Sequence, residues 1–546
     1  MLTGGRSPAR ACGPVEHLVG LLDHCRSMGE LKQILARIAV VGLLGDSFLV
    51  SKVLLFSAVS DAGDVDYSYR VFRCLPSPST FVWNTLIRGF SRGSNPNRAM
   101  SLYVEMLRQG ERPDNLTFPF LARACARLSS LRLGSAVHGH VAKGGLGADG
   151  YVQNSLLHMY SSCGDIGGAR RVFDEIPAPN LVSWNSMLDG YAKCGDMAAA
   201  RAVFDRMPRR DVVSWSALID GYVKNGEYRE ALALFGVMRG DEAGPNAVTM
   251  VSVLCACAHL GALDHGRRMH GFVEDENLPL SLPLATSLVD MYAKCGAVEE
   301  ALAVFRAVPA SKTDVLIWNA MIGGLALHGL SRQSLELFGE MQAVGVNPDE
   351  ITYLGLLSAC AHGGLVEKAW SFFRSLRAPQ IEHYACMVDV LGRSGRVEEA
   401  LSFVEAMPME PSASVLGALL SGCQTHGWVE LGEAVGKKLI ELEPEHDGRY
   451  VGLSNVYAVG RRWDEARSMR RAMEKRGVKK APGFSSVEVD GTVHGFTAHD
   501  RGHPSSEEIH TLLCTMAKQM KAEIDHPQLD DDDDDDMRGR MGEPDS

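Results

Sequence analysis

At 546 residues the chain is too long for one compact core, and a net charge of -12 offers no bulk electrostatic footprint for nucleic acid. No apolar run approaches the roughly 20 residues that span a bilayer, so the sequence reads as soluble. Thirteen cysteines, odd in number and without a C-x-x-C pair, argue against a disulfide framework or a zinc knuckle. They read as small buried apolar residues in a reducing compartment.

The first twelve residues hold Arg6 and Arg10 with no acid before Glu16, the composition of a short organelle transit segment. Beyond them one frame recurs. TFVWNTLIRGF begins at 80, YVQNSLLHMYSSCGDIGGARRVF at 151 and LVSWNSMLDGYAKCGDMAAARAVF at 181. VVSWSALIDGYVKNGEYREALALF follows at 212, LPLATSLVDMYAKCGAVEEALAVF at 282 and VLIWNAMIGGLALHGLSRQSLELF at 315. Unit starts at 80, 115, 150, 181, 212, 247, 282 and 315 give spacings of 31 to 35 residues, the mark of a repeat architecture.

Each unit predicts two helices. In the unit at 181, Trp184, Met187, Leu188 and Tyr191 form one helical stripe. Gly195 ends that helix, Asp196 caps the next, and Ala200, Val203, Phe204 and Met207 repeat the stripe before Pro208 stops it. Neither helix can bury its stripe alone, so stacked pairs must share a continuous core and leave a concave face. Tetratricopeptide units, which bind peptides, hold a fixed length of about 34 residues with a different consensus.

Here the lengths alternate between 31 and 35, Asn or Thr recurs inside the first helix, and units end in acid or Asn, as at Asp114, Asp211 and Asp349. These features resemble the pentatricopeptide-repeat (PPR) family, specifically the plant subclass that mixes P, L and S units, over residues 13–523. The resemblance implies an all-α, right-handed superhelical solenoid of stacked helix-turn-helix repeats, with the array at 13–412. It also implies binding of single-stranded organellar RNA one base per repeat, with no cofactor, no metal and no catalytic residue.

In that family the fifth and last residues of a unit select the base. An Asn amide donates and accepts at once and suits a pyrimidine edge, whereas a small hydroxyl leaves room for a purine. Carried over, Asn84 with Asp114 implies uracil, Asn154 with Asn180 a pyrimidine, and Asn185 with Asp211 uracil. Ser216 with Asn246 implies adenine, Thr286 with Asp314 guanine, and Asn319 with Asp349 uracil. The intervening L units place Pro119 and Val251 at the fifth position, where neither can bond a base edge. The implied tract is U-N-Y-U-A-N-G-U. Val182 and Val213, second in their units, are candidates for stacking against bases, with a core role as the alternative.

After the last units, residues 413–480 resemble the E-type extension of plant organellar RNA-editing factors. Residues 481–523 resemble the PG-box segment that follows it, with Ser486 where the family prefers Trp. Relatives continue into a zinc-dependent cytidine deaminase, whose chemistry needs H-x-E and C-x-x-C. None of the 18 histidines begins H-x-E, so a deaminase would have to act in trans. His494, His499 and His503 are too loosely spaced to suggest a metal site. The stretch 524–546, with the run Asp530 to Asp536, reads as a solvated acidic tail and carries most of the net charge.

The implied function is site recognition for C-to-U editing in the mitochondrion or, alternatively, the chloroplast, with a deaminase-bearing PPR protein and accessory factors as partners. A splicing or stability factor, or a tetratricopeptide-like protein scaffold, are the alternatives.

Overall fold

The computed structural model describes residues 14–480, 482–489, 492–497 and 501–525. The transit-type segment 1–12, His499 and the tail from 526 lie outside the described residues.

The chain is an all-α repeat solenoid of antiparallel helical hairpins, and it divides after Thr352 into two compact units. In the first, the frame starts at 80, 150, 181, 212, 247, 282 and 315 coincide with the start of a first helix, and that at 115 falls two residues before one. Leu181–Lys193 and Met197–Arg206 form one hairpin, Val212–Lys224 and Tyr228–Met238 the next. Gly195 takes φ +80, which only a residue without Cβ adopts cheaply, and Asp196 accepts from Ala199 N–H to start the second helix. Met187, Leu188, Ala200, Val203, Phe204 and Met207 are buried, while Trp184 and Tyr191 are half-buried.

Successive hairpins are locked by one repeated aromatic contact. A second-helix Phe meets the fourth-position Trp of the next unit edge to face: Phe72 on Trp83 at 4.6 Å, Phe173 on Trp184 at 4.9 Å, Phe204 on Trp215 and Phe305 on Trp318 both at 4.8 Å. First helices approach closely through glycines at the tenth position. A Cβ on Gly221 would lie 2.8 Å from that of Ala192, and one on Gly324 would lie 2.5 Å from that of Ala293.

The second unit continues the pattern around Met387, Leu391, Leu416, Leu419 and Leu439. It ends in a feature the helical reading omitted, an antiparallel hairpin of Phe484–Val489 and Thr492–Thr497. The signal was local: two runs rich in Val, Phe and Thr flank Asp-Gly. The helix Ser506–Asp525 follows, with Leu512, Leu513, Met516 and Met520 exposed. Among the described residues no helix is long and apolar enough to cross a membrane, and no cysteine is in a disulfide.

Candidate nucleic-acid interface

Along the first helices the second residue is exposed, the third buried and the fifth half-buried, except that the spacer Pro119 is buried. Asn84, at 5% exposure, is the one fifth-position reader set deeper. This order follows from helical geometry, because positions 2, 5 and 9 turn toward one side while position 3 turns into the stack.

Asn180, Asp211, Asn246 and Asp314, each last in its unit, are the N-caps of the next first helix, and Asp114, two residues ahead of the N-cap Leu116, bonds its helix in a similar way. Asp114 Oδ1 accepts from Leu116 and Thr117 N–H, Asn180 from Ser183 N–H, Asp211 from Ser214 N–H, and Asn246 from Thr249 N–H. Asp314 and Asp349 cap their helices in the same way. Capping fixes each of these side chains beside the fifth residue of its own unit.

Four of the six expected pairs meet directly. The amide of Asn84 donates to Asp114 at 2.9 Å, that of Asn154 to Asn180 at 3.4 Å, that of Asn185 to Asp211 at 3.4 Å and that of Asn319 to Asp349 at 2.9 Å. Ser216 and Asn246 join through Thr249, whose hydroxyl lies 2.7 Å from Ser216 Oγ and donates to Asn246 Oδ1. Thr286 is not drawn to Asp314 in this way. Its hydroxyl donates back to Leu282 O at 2.9 Å, the local bond open to a β-branched hydroxyl on a helix.

Val182 and Val213 are 58% and 55% exposed, outside the core. They belong to a longer row that sequence reasoning left unnamed: Phe81, Leu116, Tyr151, Val248, Leu316 and Ile351 also stand second in their units and are exposed. Frame position alone would have found them.

Between the units at 115 and 181 lies a groove of about 630 Å³ lined by Pro119, Arg123, Asn154, His158, Asn180 and Val182. The expected spacer, the reader pair and a stacking candidate thus face one space. Burial holds the His158 imidazole below its ordinary value, and Lys193 adds to the effect. Further along, the ninth and thirteenth positions carry matched ion pairs: Asp189 with Lys193 at 2.6 Å, Asp220 with Lys224 at 2.6 Å, and Asp290 with Lys294 at 2.8 Å. Such pairs leave the face close to neutral.

For Asp211 and Asp349 burial is the largest single influence and pushes the carboxyl up. Hydrogen bonds from the capped N–H groups, from Ser214 or Thr352 and from the Asn amide outweigh it, and both end below their ordinary value. Among the described residues no group of three metal-ligating side chains converges. His494 and His503 meet with their ring nitrogens 3.0 Å apart.

The PPR repeat family matches residues 78–127, 210–259 and 313–362, and the PPR repeat matches 154–178, 182–212, 285–309, 351–378 and 382–410. A pentatricopeptide repeat-containing protein of Arabidopsis thaliana is 52% identical over 93% of this chain and 96% of its own length. The chain belongs to the pentatricopeptide-repeat family. The E motif matches residues 426–488 of this PPR chain, so it carries an E-type extension after its repeats. Two further Arabidopsis thaliana members of the family, one mitochondrial and one chloroplastic, are 37% and 46% identical over 93% and 90% of this chain, and over 90% and 89% of their own. The crystal structure of maize PPR10 is similar over 86% of this chain and 77% of that one, at 17% identity and a TM-score of 0.45.

Proposed function

We propose that this PPR protein binds single-stranded RNA along its row of fifth-position side chains and selects a cytidine for C-to-U editing in a plant organelle, the mitochondrion first and the chloroplast as alternative. The observation that carries the reading is geometric. Polar fifth residues are held by the capping residue at the end of their own unit, and exposed apolar side chains stand in register beside them. Bases would stack against the apolar row and present their edges to the amides and hydroxyls. Near-neutral charge on this face is compatible with such binding, since stacking and base contacts then carry most of the affinity. The E-type extension would bring in a deaminase, supplied in trans together with accessory factors.

Two measurements test it. The purified protein should bind an RNA containing U-N-Y-U-A-N-G-U more tightly than a scrambled RNA of equal composition. In a plant line lacking the protein, sequencing of organellar transcripts should show one or a few cytidines unconverted, each downstream of such a tract. Normal editing with mis-spliced introns would instead assign the same groove to splicing.

A further inference from the structure

We infer that a third side chain completes four of the six base readers: the hydroxyl at the third position of the following unit, which fixes the orientation of the fifth-position side chain. This inference rests on the RNA-binding reading above. Thr117 donates to Asn84 Oδ1 at 2.7 Å, Ser183 to Asn154 Oδ1 at 2.7 Å and Thr352 to Asn319 Oδ1 at 2.6 Å. Thr249 meets Ser216 at 2.7 Å. All four hydroxyls are buried on the stacked face of their helices, at 0 or 1% exposure. A buried hydroxyl is unfavourable there unless it is bonded.

The residue type at this position follows the residue it faces. Where the fifth residue offers no polar group, the next third residue is hydrocarbon: Pro119 is followed by Val152 and Val251 by Leu284, both buried. Thr286 is followed by Ile317, and lacking a hydroxyl partner it turns back to its own helix. Core packing alone would favour Val or Ile throughout. Hydroxyls stand instead where an Asn or Ser reader precedes them.

The consequence is chemical. An asparagine amide is nearly isosteric under a flip, yet its two faces read opposite edges of a base. The Asp114 and Asp349 carboxylates can only accept, so they bind the amide nitrogen. The hydroxyl then occupies Oδ1. One N–H is left over, and it can serve only as a donor, which matches the carbonyl oxygens of a pyrimidine. Without the hydroxyl the carboxylate alone would hold the amide, and its orientation would be less firmly set.

The unit at 181 supplies an internal control. Its third-position partner, Ser214, donates to Asp211 at 2.7 Å instead, and Asn185 Oδ1 is buried with no partner. The Asn185 reader is therefore the loosest of the four asparagines.

The test uses the full chain and RNAs carrying each of the four bases at the nucleotide facing Asn319. Thr352→Val should cut the preference for U there by about five- to tenfold, the worth of one hydrogen bond. Preference at the other nucleotides and the melting temperature should be retained, and Thr352→Ser should restore the wild-type value. Thr117→Val and Thr117→Ser repeat the experiment at Asn84, independently of any folding defect at 352. Unchanged discrimination in both Val variants, alongside its loss in Asn319→Ala, would overturn the inference and leave the pairs sufficient. Absence of any base preference in the wild type would instead overturn the RNA-reading assignment itself.

Discussion

Asn319 donates its amide to the Asp349 carboxylate at 2.9 Å, across thirty residues of sequence. The pair spans a whole unit because Asp349 is both the end of one repeat and the cap of the next helix. Replacing Asn319 by Thr gives the combination found at Thr286 and Asp314. A shorter side chain with a single hydroxyl leaves space for a purine, so preference at that nucleotide should move from U toward G by about tenfold. Titration of RNAs that differ only at that base reads the result, and an unchanged preference would mean the register is wrong.

The exposed second-position row should supply affinity without specificity. Tyr151 is, with Phe81, one of its aromatic members, and half of it faces solvent. Tyr151→Ala should weaken binding of every RNA by about 1–3 kcal/mol, the range for a base stacked on an aromatic ring. Val182→Ser and Val213→Ser should weaken it less, and none of the three should change which base is preferred. A selective loss for one sequence would assign the row to readout instead.

The lysines at the thirteenth position are tied to acids one turn earlier, which sets up a two-way test. Replacing Lys193, Lys224 and Lys294 together by Gln should reduce the slope of log affinity against log salt by about two, given ~0.7 per phosphate contact on a single strand. Replacing Asp189, Asp220 and Asp290 by Asn should raise affinity at low salt, because the lysines would no longer be shared. If neither set alters the slope, the phosphates run elsewhere.

Acid should loosen the readers in a defined window. Asp211 and Asp349 lie below the ordinary Asp value of 3.8 because their hydrogen bonds outweigh the opposing effect of burial. The unfolded chain then binds more protons than the folded one near that pH, so stability rises with pH there. Their contribution is complete above about pH 5 and lost as pH falls through the folded values. The melting temperature should fall modestly from pH 7 to 5, as the unfolded chain protonates His158 more readily than the folded one, and drop further below pH 4. Asp349→Asn, which keeps the cap as Asn180 and Asn246 do, should make the drop shallower in an acid titration followed by circular dichroism.

Much of this geometry is legible in the sequence. The stripe through Met187 and Leu188, the left-handed Gly195 and the Asp196 cap are local properties of a repeated sequence. Repetition itself made the Asn and Asp positions stand out. The hydroxyls of Thr117, Ser183 and Thr352 did not, because an apolar period treats Ser and Thr as surface or noise, and their partner lies in the preceding unit. Thr286 shows the converse. It occupies the reader position by frame, but whether its hydroxyl faces Asp314 depends on what stands at Ile317. The terminal hairpin was missed because two six-residue strands leave little periodicity to set against a long helical context.

Gly324 lies on the helix Val315–Leu327, which packs on Leu282–Lys294, and a Cβ there would come within 2.5 Å of the Ala293 Cβ. Gly324→Leu must push these helices apart, at a cost of about 1–3 kcal/mol. In a solenoid each unit contacts only its neighbours, so the damage should stay local. Hydrogen exchange should quicken around 282–327 and remain slow near 181–224. The parting would also take Asn319 out of step with the readers before it. Affinity for the whole tract should therefore fall, while affinity for a shortened RNA ending at the Thr286 nucleotide holds. Equal losses on both RNAs would mean that the glycine serves folding alone, and that the close approach does not set the register.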